Sequence, residues 1–411
     1  MTPRSTTVTT PLPSREGSVR EVFLAFLKLG LTAFGGPIAH LGYFREEFVH
    51  RRRWLDEAAY ADLVALCQFL PGPASSQVGF SLGLMRGGGL AGGLAAWTAF
   101  TLPSALLLVA FAYGAGALGG PVGSGLVHGL KLVAVAVVAQ AVWGMGRSLA
   151  PDVTRASIAF AALCLVTALA GSAGQVVAIA AGAMAGLVLC RQAAGVPGQP
   201  LRFPVSRRAG AVALLLFGLF LVLPSLLAEV LASQGLALFD AFYRAGALVF
   251  GGGHVVLPLL RTALVETGWI GPDAFLAGYG AAQAVPGPLF TVAAYLGAVL
   301  GPEPNGLAGA VIALVAVFLP GLLLVYGALP FWDAFRAKPL AQAAMRGANA
   351  AVVGILAAAL YDPLWTGAVL GPRDFALAAG AFLLLTIGAA PPWIVVVLTA
   401  ASGAGFAVLG G

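Results

Sequence analysis

The sequence predicts an all-α integral membrane protein built from two inverted-topology repeats of about 170 residues, each with two broken, re-entrant helical hairpins and four crossings, joined by a linker transmembrane helix. Three observations lead there. Hydrophobic residues make up 60% of the 411-residue chain and charged residues only 9%, at a mean hydropathy of +0.95, whereas a soluble domain carries about 25% charged residues. The chain also repeats itself at an offset of 215 to 217 residues. In both copies the first two apolar segments are interrupted in the middle by glycine and proline.

Composition places the chain in a bilayer and leaves no soluble domain over. Uncharged runs such as 209–227 and 375–390 are long enough to be candidates for crossing about 30 Å of hydrocarbon. The net charge of +6 and pI near 9.5 come from basic residues in short loops between apolar spans, so they are topology signals and not a nucleic-acid surface. Cys67, Cys164 and Cys190 lie in or beside apolar segments without CxxC spacing, so neither a disulfide framework nor a metal site is expected. Residues 1–17 are polar, lack the apolar core of a cleavable signal peptide, and are expected to form a disordered cytoplasmic tail.

The duplication sets the domain organisation. Gly30, Phe34, Gly35 and Gly36 meet Gly246, Phe250, Gly251 and Gly252 at an offset of 216, and Arg45 meets Arg261 there too. Trp54, Gln68 and the Pro71-Gly72-Pro73 run meet Trp269, Gln283 and Pro286-Gly287-Pro288 at 215, and Leu102-Pro103 meets Leu319-Pro320 at 217. The repeats are read as residues 18–190 and 236–411, with a basic loop and a linker transmembrane helix over 191–235. If each half crosses an even number of times, the single extra span over 209–232 inserts the second half upside down.

In each half two segments are divided into pieces of about a dozen residues, which reach only some 18 Å at about 1.5 Å per residue. Such pieces suit hairpins with their tips near the midplane, turned by glycine and proline. The positive-inside rule favours nine crossings plus four hairpins. That arrangement puts Arg20, Arg45, Arg51, Arg52, Arg53, Arg86, Arg155, Arg336 and Lys338 on the cytoplasmic side, with Arg244, Arg261 and Arg373 outside. Thirteen simple crossings would place the arginine run 51–53 outside, against the rule. The N-terminus is then cytoplasmic and the C-terminus periplasmic.

A helix that restarts inside a membrane aims free N–H groups and a positive dipole end at its tip, which suits an anion. The candidate anion-binding residues are therefore Gly35, Gly36, Gly72, Ser75 and Ser76 in the first half and Gly251, Gly252, His254, Gly287 and Thr291 in the second. Lys28 and Arg244 precede the two FGG breaks by six residues and are expected to supply charge. Gln68 and Gln283 precede the PGP breaks by three and are expected to bind substrate or tie the backbone. His40 is a further candidate, as a proton sensor or a structural histidine. Glu46, Glu47, Asp56 and Glu57 are read as surface ion pairs of the arginine run. The alternative, that glycine and proline only kink or pack helices, suits Gly87, Gly88 and Gly89 better than breaks that recur in both halves. No catalytic residue, metal or cofactor is assigned, because the sequence holds no paired acids, metal-spaced histidines or nucleophile motif.

The stretches FGGPIAHLGYFREEFVHRRRWLDEAAYADLVALCQFLPGPASSQVGFSLGLMRGG and VFGGGHVVLPLLRTALVETGWIGPDAFLAGYGAAQAVPGPLFTVAAYLG closely resemble the paired signatures of the chromate ion transporter (CHR) family, in its long two-domain form. That resemblance implies a bacterial inner-membrane protein that lowers cytoplasmic chromate by efflux, with halves of opposite orientation. The first break reads FGGPIAH and the second FGGGH, so the implied site is chemically asymmetric. Moving a dianion out of a negative-inside cell gains about 2.3 kcal/mol per charge per 100 mV. Potential alone could thus drive about a thousandfold export; proton exchange is the other possible drive. Uptake of sulfate, the competing substrate, would have to overcome the same gradient. The partners named are therefore chromate, with sulfate and protons as alternatives, and the lipid bilayer.

Overall fold

The computed structural model describes residues 17–115, 120–169, 172–191, 203–250, 253–332 and 338–409. The rest of the expected tail, Gly251, Gly252 and Arg336 lie outside them. Among the described residues every regular element is a helix. Five helices are long and apolar enough to cross a membrane, consistent with a multi-pass membrane protein.

Helix α1 (Val19–Thr32) begins where Ser18 accepts a hydrogen bond from the Glu21 amide at 3.1 Å. It buries Val22, Ala25, Phe26 and Leu29 along one face. Gly35 and Gly36, at φ of +101° and +75°, end it, and α2 (Gly36–Arg45) starts at once with Pro37 in its first turn. A π-helical turn over Glu46–Arg51 carries α2 on. The chain has now doubled back, because Arg52 lies 4.0 Å from Glu21 and Glu47 lies 3.4 Å from Lys28.

Helix α3 (Glu57–Phe69) is capped by Asp56, which accepts from the Ala59 amide at 2.8 Å. After Pro71-Gly72-Pro73, α4 (Ala74–Arg86) returns, so that Arg86 pairs with Glu21 at 3.2 Å and its carbonyl accepts from the Gly17 amide at 3.1 Å. Both hairpins therefore open at the same end, the first mouth. Phe26, Phe44, Phe48 and Phe100 pack between them with ring centroids 4.8 to 6.4 Å apart, each pair contributing about 0.5–1.5 kcal/mol.

The second half repeats the plan. Helices α10 (Gln234–Ala247) and α11 (Val256–Leu264) flank the second FGG break, and α12 (Pro272–Ala282) and α13 (Val292–Ala298) flank Pro286-Gly287-Pro288. The Gly301 amide donates to the Trp269 carbonyl at 2.9 Å, closing this hairpin at a second mouth.

Two long helices link the mouths. Helix α5 (Leu90–Ala115) starts four residues after Arg86 at the first mouth, and its Tyr113 hydroxyl stands 3.0 Å from where a Cβ on Gly306 would lie, at the second. At 1.5 Å per residue α5 spans about 39 Å. Helix α14 (Gly306–Ala328) is its counterpart, with Pro320 matching Pro103. Gly30 lets α1 close on α5, since a Cβ there would lie 2.7 Å from the Ala99 carbonyl oxygen. Its repeat partner Gly246 meets the Val317 carbonyl of α14 in the same way.

Around this core lie α6 (Gly120–Leu149), α7 (Val153–Ala168), α8 (Ser172–Leu189), α15 (Pro339–Ala359), α16 (Pro372–Thr386) and α17 (Pro392–Leu409). They pair across the halves through small residues that bring backbones close, Gly129 beside Thr399 and Gly186 beside Gly347 among them. Helix α9 (Arg207–Val230), between the halves, keeps Leu215, Val222 and Leu226 exposed, as a lipid-facing helix does. The thiols of Cys67 and Cys190 are buried and that of Cys164 is exposed, all three free.

Candidate functional site

The four breaks meet midway between the mouths, and they are joined across the halves. The Gly72 amide donates to the Val249 carbonyl at 2.7 Å, just before the second FGG break. Reciprocally, the Gly287 amide donates to the Ala33 carbonyl at 2.9 Å, just before the first. Gly72 and Gly287 hold φ of +117° and +94°, a region that glycine enters without the penalty a Cβ imposes. Each tip also rests on the other half's neighbour of the long-helix proline. A Cβ on Gly72 would lie 2.9 Å from the Gly321 Cα, and one on Gly287 would lie 2.9 Å from the Ser104 Oγ. Each joining hydrogen bond contributes about 0.5–1.5 kcal/mol net.

On the first-half side, α4 starts at Pro73 without a side-chain cap, leaving the amides of its first turn to face the junction. Ser75 and Ser76 in that turn are buried. The His40 Nδ1 lies 3.5 Å from the Ser75 Oγ, and the ring packs edge-on to Phe100 at 5.2 Å. His40 Nε2 and Ser76 Oγ are buried without a hydrogen-bond partner among the described residues. Gln77 braces the tip by donating to the Pro71 carbonyl at 2.9 Å and the Gly321 carbonyl at 3.0 Å. A helix N-terminus with uncommitted buried polar atoms beside it can hold an anion by dipole and hydrogen bond.

The second-half tip is closed on itself. A 3₁₀ turn over Leu289–Thr291 replaces the helix start, and the Thr291 hydroxyl donates to the Pro288 carbonyl at 2.7 Å. Val292 stands where the first half has Gln77. The His254 Nδ1 lies 2.6 Å from the Tyr279 hydroxyl, and Gln283 Nε2 is buried without a partner among the described residues.

The structure thus joins Gly72 and Gly287 to the other half's FGG breaks, sets Ser75 beside His40, and places Ser76 and Thr291 in the first turn after each PGP. Gly35 is exposed and Gly36 partly so, each at its break. Lys28 and Arg244 stay outside the junction; both are exposed, Lys28 pairing with Glu47 and Arg244 with Asp240 at 2.9 Å. Gln68 is exposed on α3. One expectation is corrected: Glu47 is not a surface ion pair but a buried carboxylate held by Lys28, Arg51 and Arg52. It lies in sequence between Phe44 and Phe48, both of which the structure buries. Ser104 and Tyr279 were missed as well; Ser104 follows the repeat-matched Pro103, but nothing local marks Tyr279. Among the described residues no three His, Cys, Asp or Glu side chains come together as a metal site would require.

A family model described as Chromate transporter matches the chain twice, over residues 20–187 and 236–404. The chromate transport protein of Pseudomonas aeruginosa is 30% identical over 367 residues, covering 87% of this chain and 84% of the relative. That of Cupriavidus metallidurans is 26% identical over 345 residues, covering 84% and 82%. No solved structure matches at a significant level.

Proposed function

The chain belongs to the chromate transporter family, and we propose that it is a secondary transporter that exports chromate across the bacterial inner membrane and so confers chromate resistance. The observation that carries this reading is the junction of the breaks. There the uncapped start of α4 meets His40 Nε2 and Ser76 Oγ, buried polar atoms without a hydrogen-bond partner among the described residues, beside the reciprocal bonds that join the halves.

In this reading the oxyanion is bound by Gly35, Gly36, Ser75, Ser76 and His40 from the first half and by Gly251, Gly252, His254, Gln283 and Thr291 from the second. Gly72 and Gly287 shape the joint, which parts for the ion to pass. The repeats 18–190 and 236–411 are inverted, with nine crossings and four re-entrant hairpins, the N-terminus cytoplasmic and the C-terminus periplasmic. Support for inversion comes from the two mouths, which lie at opposite ends of α5. The drive is the membrane potential, worth about 2.3 kcal/mol per charge per 100 mV, or proton exchange.

Vesicles reconstituted with the protein and loaded with chromate, sulfate or molybdate test it. Chromate release should quicken when the interior is made negative, and release that ignores the potential would rule out potential-driven export. Faster flux of sulfate than of chromate would shift the assignment to sulfate.

A further inference from the structure

The two mouths differ in charge. At the first, Glu47, its side chain 7% exposed, is held by Lys28 at 3.4 Å, Arg51 at 3.0 Å and Arg52 at 2.7 Å. Glu21 lies 4.0 Å from Arg52 and 3.2 Å from Arg86. Around Glu47, three cations thus face one carboxylate among the described residues, an excess of two positive charges, with Arg86 and Glu21 paired beside them. The cluster is pre-formed. Arg52 and Arg86 lie over the Trp54 ring at 5.8 and 5.5 Å, and Trp54 stacks on Phe48 at 4.4 Å. It is also accessible, since the Lys28 and Arg51 side chains are 50% and 61% exposed and each keeps N–H groups that Glu47 does not use.

At the second mouth the balance reverses. Arg261, which matches Arg45 in the repeat, faces Glu266 at 3.2 Å and Asp362 at 4.0 Å, one cation against two carboxylates. These groups line a cavity of about 430 Å³ together with Gln175 and Thr262. Lys131 and Asp273 cancel at 2.5 Å, as do Arg244 and Asp240.

We propose that Lys28, Arg51 and Arg52 form a capture site for a doubly charged tetrahedral oxyanion, in which the anion takes the contacts now made by Glu47. The inference rests on the transport reading above. Glu47 is then a tethered stand-in for the substrate, holding the cations in place until the ion arrives. The ion matches the twofold positive excess, and positive potential at an accessible site raises the local anion concentration. The negative excess at the second mouth weakens anion binding there, while the direction of net movement is set by the electrochemical gradient.

The test is equilibrium chromate binding to the full chain in neutral detergent, by isothermal titration calorimetry, with flux measured separately in vesicles. Arg51→Gln with Arg52→Gln should weaken binding about tenfold at low salt. The difference should collapse near 1 M salt, where the Debye length is about 3 Å. Arg51→Gln alone leaves Glu47 two cationic partners, so it should keep the Tm and still weaken binding about threefold. Arg155→Gln removes one cation from the same expected face and should leave affinity unchanged. Equal affinity in the wild type and the double variant at low salt overturns the proposal. An effect that appears only after anionic lipid is added also overturns it, making the cluster a headgroup site. Binding that depends on this cluster in a wild-type chain that carries no chromate would sink the transport reading and leave the capture site standing; no binding at all would sink both.

Discussion

The two PGP tips share their three residues, a positive φ at glycine and a hydrogen bond donated into the other half, yet their next turns differ. After Pro73 comes Ala-Ser-Ser-Gln, which begins a helix of 13 residues and leaves a hydroxyl uncommitted. After Pro288 comes Leu-Phe-Thr-Val, which begins a 3₁₀ turn with its hydroxyl turned back on the proline carbonyl. The common part builds the joint and the divergent part decides what the joint can bind. Duplication supplied two equivalent frames, and the polar chemistry was concentrated in the first.

The sharpest way to break this comparison is to add one methyl group to each tip. Gly72→Ala combines φ strain of about 1–3 kcal/mol with a Cβ 2.9 Å from the Gly321 Cα, which has no side chain to swing aside. Vesicle flux should fall about a hundredfold. Gly287→Ala carries the same positive-φ strain but meets the Ser104 hydroxyl at 2.9 Å before the Phe100 carbonyl at 3.1 Å, so it should be milder and should recover only in part with Ser104→Gly. Equal losses without recovery would show that the tips do not differ in this respect.

Converting one tip to the other is the next step down. Gln77→Val leaves the Pro71 and Gly321 carbonyls without their amide donor and should destabilise the detergent-solubilised chain by about 1–3 kcal/mol, read as a lowered Tm. Smaller effects should separate the two hydroxyls. Ser76→Ala removes a hydroxyl without a hydrogen-bond partner among the described residues, so transport should fall about tenfold with the Tm unchanged. Thr291→Val breaks the bond to Pro288 and should lower stability by about 1 kcal/mol, with a smaller change in substrate KM than Ser76→Ala gives. The smallest effect belongs to Arg244→Gln, at an exposed i,i+4 pair with Asp240, which should stay within about 0.5 kcal/mol in stability. A tenfold loss of flux there would return Arg244 to the anion path.

The helix breaks were legible because glycine and proline act locally, and finding them twice at a fixed offset removed the ambiguity of one occurrence. Small residues such as Gly30 and Gly246 were legible as a repeated pair, though not as the places where α1 and α10 touch the long helices. The bond from Gly72 to Val249 could not be read, because it joins residues far apart in sequence and no backbone amide announces its acceptor. Nor could the burial of Glu47, since a glutamate beside three arginines has the pattern of a solvated loop whether or not phenylalanines cover it. The functional asymmetry was partly visible in FGGPIAH against FGGGH. The larger difference, ASSQ against LFTV after the prolines, is not legible as a functional one, because Ser76 and Thr291 look alike until their hydroxyl partners are known.

The crossed bonds between the tips also bear on how the chain is made. A ribosome delivers the first half to the membrane with the Gly72 amide and the Ala33 carbonyl both lacking their partners, since Val249 and Gly287 have yet to be synthesised. In hydrocarbon such groups are costly to leave unpaired. The early half must therefore remain loosely assembled, or borrow lipid headgroups, water or an insertion factor, until the late half arrives. Maturation is then a single closing event, and a chain stalled within the 191–235 connection would be a natural target for membrane proteolysis.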